Sequence, residues 1–477
     1  MPNTAQHYID GAWVDPVAPR PFRILDPALN APVGEVALGD AADVDAAVAA
    51  ARRAFDGWSR SAKLDRLEAL RRLEQAFAAR LEEMAQAIST EMGAPLTMAR
   101  EEQAQCGVDN LRSFIDELEA HETVETLPGG DVVLREPIGV CGLVTPWNWP
   151  VNQIALKVAP AIAAGCACVL KPSEHTPLSA ALFAQIVDEA GLPPGVFNLV
   201  QGDGETVGEA MSRHPGIDMM SFTGSTRAGV LVSRAAAETV KRVTLELGGK
   251  SPNLVFADAD LEARVPASVA ECFHNSGQSC NAPTRLLVER ACYDRVLALA
   301  AQACADQAVG DPAREGGHIG PLFDEIQYER VQALIRAGLN EGARLLAGGP
   351  GKPEGLEQGW YARPTIFADV SNDMRIAREE VFGPVLVIIP FETEEEAIAL
   401  ANDTDYGLAA YLQTGDAARA ERVTARLRAG QVTVNGNAPG YLAPFGGYKR
   451  SGNGREGGRF GLEDYQEIKV RGPFFAG

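Results

Sequence analysis

The chain has 477 residues, of which 46% are hydrophobic and 22% charged, with the charges interspersed; this is the balance of a globular protein with room for two or three domains. A net charge of -21 argues against nucleic acid or an anionic membrane surface as partner. No apolar segment follows Met1-Pro2-Asn3-Thr4 and no run of about 18 uncharged apolar residues occurs, so a soluble, cytoplasmic protein is expected.

In chain order, His7 to Val14 alternates around Asp10-Gly11 and predicts a small hairpin. Asp40 is a plausible N-cap for a helix to Trp58, and Ser61 to Met92 reads as one longer helix closed by Gly93, with Leu64, Leu67, Leu70, Leu73 and Phe77 on its apolar face. Thr97 to Glu119 is a third helix. A second hairpin, Thr123 to Leu127 with Val132 to Arg135, lies outside the rhythm that follows and is a candidate arm for subunit contact.

From Gly139 the pattern becomes regular. Strands Val140 to Thr145, Cys168 to Lys171, Phe197 to Val200, Asp218 to Phe222 and Val243 to Leu247 alternate with helices Val151 to Ala164, Leu178 to Ala190, Thr206 to Arg213 and Arg227 to Ala237. Short apolar strands joined by helices imply a parallel, doubly wound α/β domain with ligands at the carboxyl ends of its strands.

A second α/β series follows Gly248-Gly249. It runs through strand Asn253 to Phe256, helix Leu261 to Phe273, strand Arg285 to Val288 and helices Tyr293 to Ala305 and Glu325 to Asn340. Strand Val385 to Phe391, helix Glu394 to Asn402, strand Ala409 to Thr414, helix Ala417 to Leu427 and strand Val432 to Asn435 complete it. Thr393 with Glu396 predicts a capping box, Phe445 to Gly461 a long loop, and Gln466 to Arg471 an exposed last strand.

The eight cysteines are scattered without a CxxC pair, so neither a metal site nor a disulfide framework is indicated. Cys280 ends the Gly-containing turn Phe273-His274-Asn275-Ser276-Gly277-Gln278-Ser279, where a thiol can face substrate; Cys272, inside the preceding helix, reads as packed and inert. Unusual clusters end the first domain's strands: Thr145-Pro146-Trp147-Asn148-Trp149-Pro150, Lys171-Pro172-Ser173-Glu174, Phe222-Thr223-Gly224-Ser225-Thr226 and Leu245-Glu246-Leu247-Gly248-Gly249-Lys250. With Glu379-Glu380-Val381-Phe382-Gly383-Pro384 and Pro444-Phe445-Gly446-Gly447-Tyr448-Lys449-Arg450-Ser451-Gly452, the chain resembles the aldehyde dehydrogenase superfamily over nearly its whole length and in motif order.

That resemblance implies two doubly wound α/β domains and a small β oligomerisation arm. A Rossmann-like NAD-binding domain would span 1–118 and 138–247, a catalytic domain 248–445, and the arm with the C-terminal strand 119–137 and 446–477. It further implies a homodimer or homotetramer.

Gly224 and Ser225 open a helix after a strand, where free N–H groups and the helix dipole can face a pyrophosphate. Glu174 beside Lys171 could accept both ribose hydroxyls and would repel a 2′-phosphate, favouring NAD over NADP. The family pattern adds Thr145, Trp147, Ser173, Phe222, Leu247, Gly248, Glu380 and Phe382 to the cofactor contacts. Cys280 becomes the nucleophile, with the Asn148 amide and the Cys280 backbone N–H as oxyanion donors and Glu246 as the base that activates water for thioester hydrolysis. Lys157 and Glu456 match positions that would relay protons behind that base.

Trp149, Gln153, His274, Ser279, Asn281, Tyr441 and Phe445 would line the substrate entrance. Relatives acting on simple aldehydes often carry aromatics where His274 and Leu156 stand, so a less apolar or wider tunnel is expected here. No Arg or Lys in Ser279-Cys280-Asn281 announces a semialdehyde carboxylate. The expected reaction is NAD-dependent oxidation of an aldehyde to a free acid. The alternatives are a CoA-acylating semialdehyde dehydrogenase, against which Glu246 argues, and a catalytically silent relative.

Overall fold

The computed structural model describes residues 2–473, so Met1 and the last four residues of the 446–477 segment lie outside the described residues. The regular series after Gly139 forms a sheet whose parallel strands run, in spatial order, Arg242–Glu246, Met219–Thr223, Val140–Val144, Ala167–Lys171 and Phe197–Leu199. Helices cover both faces, which is why these strands are apolar almost without alternation. The chain builds outward from Val140–Val144 in one direction and then returns to its other side with Met219–Thr223. The crevice between their carboxyl ends is therefore the topological switch point, and Thr145–Asn148 and Gly224–Ser225 sit on its rim.

Both edges of this sheet are antiparallel. The hairpin His7–Ile9 and Ala12–Val14 extends one side as the Asp10-Gly11 turn implies. Gly452–Asn453 pairs with Leu245 and Glu246 on the other, so part of the segment expected to be arm and loop returns to the first sheet. The 445–461 stretch also holds a 3₁₀ turn, Lys449–Ser451, and opens helix Gly458–Glu463, so it is not a plain loop.

The second sheet runs Arg344–Ala347, Thr365–Ala368, Val385–Phe391, Arg285–Glu289, Pro252–Val255, Ala409–Gln413, Gln431–Val434. Every pair is parallel except the first, and the first two strands are additions to the expected set. A three-stranded sheet joins the C-terminal strand Gln466–Arg471 to Val132–Pro137 and that to Val124–Thr126. The two stretches expected to form an arm are thus hydrogen-bonded to each other.

Further expectations need correction: the helix expected over Thr206 to Arg213 opens as a π turn, Gly204–Gly208, and is α-helical only over Glu209–Arg213. The helix from Ser61 to Met92 divides at Arg80 into Lys63–Ala79 and Leu81–Met92; no helix breaker stands there, and Arg80 instead leans out to Glu189 and Gln185 of helix Pro177–Glu189. Leu64 is 68% exposed, whereas Leu67, Leu70, Leu73 and Phe77 are buried. The Thr97 to Glu119 helix carries a π turn at Ala99–Ala104 before continuing as Gln105–Ala120. Thr393 caps the Glu396 N–H, but Glu396 accepts from the Glu392 N–H rather than from Thr393, so the box is only half formed. A ribbon of Arg20–Asp26 and Ala31–Leu38 is also new; it buries Ile24, Val36 and Leu38 against the helices.

Among the described residues no helix is long and apolar enough to cross a membrane, and no group of three or more His, Cys, Asp or Glu is placed to hold a metal ion.

Candidate active site

Cys280 is presented by a turn of unusual backbone. Helix Leu261–Phe273 ends, and Asn275, Ser276 and Gly277 then take left-handed conformations in succession, with φ of 53, 55 and 71. Gly277 cannot be replaced at this point, because a Cβ there would lie 2.1 Å from the Gly383 carbonyl oxygen. The two non-glycine residues are held by side-chain bonds: Ser276 Oγ donates to Gly320 O at 2.8 Å, and Asn275 Nδ2 donates to Asn148 O at 3.0 Å.

The same network fixes the expected oxyanion donor. Asn148 Nδ2 donates to Gln278 O at 2.9 Å, two residues before Cys280, leaving its second amide hydrogen for the cleft. Gln103 Nε2, from the π turn, reaches Asn275 Oδ1 at 3.1 Å, and Gln278 Oε1 accepts from the Phe323 N–H at 2.9 Å. Gln103, Asn275 and Gln278, which the sequence does not single out, hold Asn148 and the cysteine turn together. Burying such amides is costly unless they are paired, and here the pairing locks Asn148 to the cysteine turn.

The cleft has a volume of ≈ 200 Å³ and is lined by Asn148, Gln153, Glu246, Cys280, Glu380 and Phe382 together with Trp147, Thr223 to Ser225, Leu247, Gly248, Gln327 and Arg330. Most of the expected catalytic and cofactor residues thus share one space, to which Gln327 and Arg330 are additions. Burial pushes the Cys280 thiol well above its ordinary value, and Glu380 and Glu246 add to that; its own and the Asn281 backbone N–H groups oppose the rise. Cys272 is fully buried with its thiol pushed up to about 12 by burial, which agrees with an inert packed residue.

Glu246 is buried, and neither carboxylate oxygen has a hydrogen-bond partner among the described residues. Burial raises its proton affinity well above the usual carboxylate range and Glu456 adds to this, with Lys157 and Arg455 pulling the other way. Lys157 Nζ, fully buried, pairs with Glu456 Oε1 and donates to Ser221 Oγ at 3.2 Å. Glu456 is clamped by its backbone to Phe445, each N–H donating to the other's carbonyl at 2.7 Å.

On the cofactor side, Ser225 caps helix Thr226–Ala237 by accepting the Ala228 N–H at 3.3 Å, and Gly224 N donates to Glu246 O at 3.0 Å. Lys171 Nζ bonds Pro172 O and Gly202 O, both at 2.6 Å, and Glu174 Oε2 at 3.2 Å. Burial pushes the Glu174 proton affinity up, but Lys171, its own backbone N–H and His175 together outweigh it and hold the carboxyl below its ordinary value. Ser173 Oγ accepts the His175 N–H, and Thr145 Oγ1 is buried without a partner among the described residues. Glu380 Oε1 accepts the Gly249 N–H at 2.9 Å; its other oxygen lies 2.4 Å from where a Gly248 Cβ would be, so a side chain at Gly248 would displace the Glu380 carboxylate. Phe382 takes a left-handed φ of 57, held by Gln327 Nε2 on its carbonyl at 2.7 Å, and meets Trp147 edge-on. Phe222 and Leu247 pack in the core beneath. An open helix N-terminus, a charged carboxylate on the next strand end and a second, anchored carboxylate fit a dinucleotide.

Of the expected substrate residues, Trp149 Nε1 donates to Ser279 Oγ at 2.9 Å and stacks near His274, whose Nε2 lies 2.9 Å from Glu102 Oε2. Gln153 reaches the cleft. Asn281 accepts the Tyr411 hydroxyl on its backbone oxygen, and Tyr441 is 55% exposed and apart from the cleft lining.

Residues 13–471 match the model of the aldehyde dehydrogenase family. The chain belongs to the aldehyde dehydrogenase family. A 3-succinoylsemialdehyde-pyridine dehydrogenase of a Pseudomonas species is 54% identical over 471 residues, covering 98% of either chain. Among solved structures, an aldehyde dehydrogenase C mutant of Pseudomonas syringae, in complex with NAD+ and octanal, superimposes with a TM-score of 0.97 at 54% identity, covering 99% of this chain and 97% of that one. An aldehyde dehydrogenase of Bartonella henselae gives 0.98 at 47% identity, with 99% and 100% covered. The aldehyde dehydrogenase fold therefore extends over essentially the whole of this chain.

Proposed function

We propose that this aldehyde dehydrogenase oxidises an aldehyde to a free carboxylic acid with NAD, using Cys280 as nucleophile and Glu246 as the base for hydrolysis. The observation that carries the reading is the shared cleft: Cys280, the Asn148 amide and an unpartnered buried carboxylate, Glu246, converge on one space. The Cys280 thiol gives up its proton to solvent, its sulfur adds to the carbonyl carbon, and the oxygen that gains charge is met by the Asn148 amide and the Cys280 N–H. NAD supplies the hydride acceptor. The residues that would hold it are Ser225 and the helix it caps, Glu174 with Lys171, Glu380, and the Trp147 and Phe382 rings. Loss of hydride leaves a thioester on Cys280. Glu246 takes a proton from water, the water oxygen attacks the thioester carbon, and the Cys280 thiolate leaves. Lys157 and Glu456, paired behind Glu246, are the route by which the base returns its proton.

Glu174, charged at the strand end, disfavours a 2′-phosphate and supports NAD over NADP. The named relatives act on or hold aldehydes as different as a pyridine semialdehyde and octanal, so the aldehyde of this chain is set by its own entrance residues. The arm sheet, with Ile468 and Val470 exposed, supports a homo-oligomer in which it adds to a neighbour. The test is NADH formation on an aldehyde panel with NAD and NADP compared, with and without CoA. Acid formed without CoA, and none in Cys280→Ala, is expected. A requirement for CoA selects the acylating alternative, and undiminished turnover by Cys280→Ala overturns the mechanism.

A further inference from the structure

Trp147 lines the cleft, and its ring is fixed by two others. Phe323 stacks on the indole with centroids 4.3 Å apart and planes at 19°, and Phe382 meets it edge-on at 5.6 Å. Both rings come from the second domain, and the start of one helix, Glu325–Asn340, sets them. Phe323 stands immediately before the Asp324 N-cap, and Gln327 in the first turn donates to the Phe382 carbonyl. Phe323 also meets the His175 ring at 4.9 Å and 84°, and His175 follows Glu174 in the chain. One ring of the second domain thus touches two of the first, one beside Asn148 and one beside Glu174. Phe323 is 7% exposed, yet among the described residues it belongs to none of the four apolar cores. Its own place is fixed by its backbone N–H, which donates to Gln278 Oε1 at 2.9 Å.

We propose that Phe323 is a positioning residue for the cofactor: its ring holds the Trp147 indole in the plane at which NAD is received, and its backbone ties that plane to the cysteine turn. This rests on NAD as the occupant of the cleft. An indole free to turn about its side-chain torsions has to be ordered at the moment of binding, which weakens affinity; a near-parallel stack orders it beforehand. Phe323 is not part of the cleft lining, so its effect on the cofactor is exerted through Trp147. The Gln278 bond adds the second link, because Gln278 also accepts the Asn148 amide on its carbonyl at 2.9 Å. The surface that receives the cofactor and the turn that carries the nucleophile therefore share one support.

The test is calorimetric titration of NAD, without turnover, into the wild type, Phe323→Leu, Phe323→Met and Phe323→Tyr, with thermal melts to show that each variant folds. Leucine and methionine keep the apolar bulk and the backbone N–H but lack a flat face, and tyrosine restores one. Phe323→Leu and Phe323→Met are expected to weaken NAD binding by roughly two- to tenfold, the worth of an aromatic stack, and Phe323→Tyr to stay near the wild type. In a Trp147→Leu background, where the stack is already gone, Phe323→Leu should add nothing. The KM for hexanal at saturating NAD should stay near the wild-type value in Phe323→Leu, which a general loosening of the site would not allow. Unchanged NAD affinity in the leucine and methionine variants, an equal loss in Phe323→Tyr, or the full loss repeated in the Trp147→Leu background overturns the proposal. So does a KM for hexanal that rises in step with the NAD dissociation constant. Failure of the wild type to bind NAD overturns the cofactor reading itself.

Discussion

Glu246 is a carboxylate with no hydrogen-bond partner among the described residues and a raised proton affinity, two properties that suit a base and harm a structural residue. Its titration has a definite sign: the base works only when ionised, so kcat rises with pH through a value well above the ordinary carboxylate range. Glu246→Gln should remove that limb and slow turnover by ~10²–10⁴-fold, while a rapid-mixing experiment still yields one NADH per site from the first hydride transfer. A burst no larger in the variant than in a Cys280→Ala control would sink the assignment. Gly446 bears on the same group. It has φ of 149, and a Cβ there would stand 2.6 Å from Glu246 Oε1 and 2.9 Å from Gly454 O. Gly446→Ala should therefore cost up to ~10²-fold in kcat through displacement of the base, with single-turnover hydride transfer unchanged. That Cys280, Asn148 and Glu246 share one cleft was legible in the sequence, because each sits in a compact local motif at a strand or helix end. Gln103 was not: it bonds Asn275 across 172 residues of sequence, and nothing in its own neighbourhood announces the contact.

Helix Pro177–Glu189 begins without a side-chain cap of its own, and its Leu178 and Ser179 N–H groups are met instead by Glu91 from helix Leu81–Met92, at 2.6 and 2.9 Å. Glu91 is fully buried, and burial pushes its pKa from 4.5 up to about 8. A folded value above the unfolded one means that the protonated form is the stabilising one. That contribution is complete below 4.5 and lost as pH rises through about 8, at up to ~1.4 kcal/mol per pH unit in between. Thermal melts of the wild type and Glu91→Gln from about pH 6 to about pH 9 should show the wild type losing stability more steeply, because the glutamine has no proton to lose. Parallel curves would rule this out. Element by element, the alternating strands and helices of both domains followed from periodicity. What escaped it was set by distant partners: the break at Arg80 serves contacts to helix Pro177–Glu189, and the π turn at Ala99–Ala104 has no sequence mark. The Arg20–Asp26 ribbon does alternate through Phe22, Ile24, Val36 and Leu38, but Pro21, Pro32 and Gly34 hide the pattern.

At the scale of the molecule, the arm is a thin sheet whose last strand leaves Ile468 68% and Val470 62% exposed, a surface suited to another copy of the chain. Replacing both with lysine should lower the mass measured by light scattering while leaving the KM for aldehyde unchanged; an unaltered mass would remove this strand from the interface. The two-domain plan was legible from the two strand series, whereas the return of Gly452–Asn453 to the first sheet was not, because two residues carry no periodicity. That return has a consequence for synthesis on the ribosome. The first domain has nearly all of its strands by residue 246, yet one edge of its sheet waits for residues 452–453, and the buried Lys157 ammonium waits for Glu456. Until some two hundred further residues have emerged, the nascent first domain lacks the carboxylate that pairs with Lys157 and keeps an open strand edge beside Glu246. Its maturation is thus tied to completion of the second domain, and a chain that stalls between them is the form most exposed to aggregation and to chaperone capture.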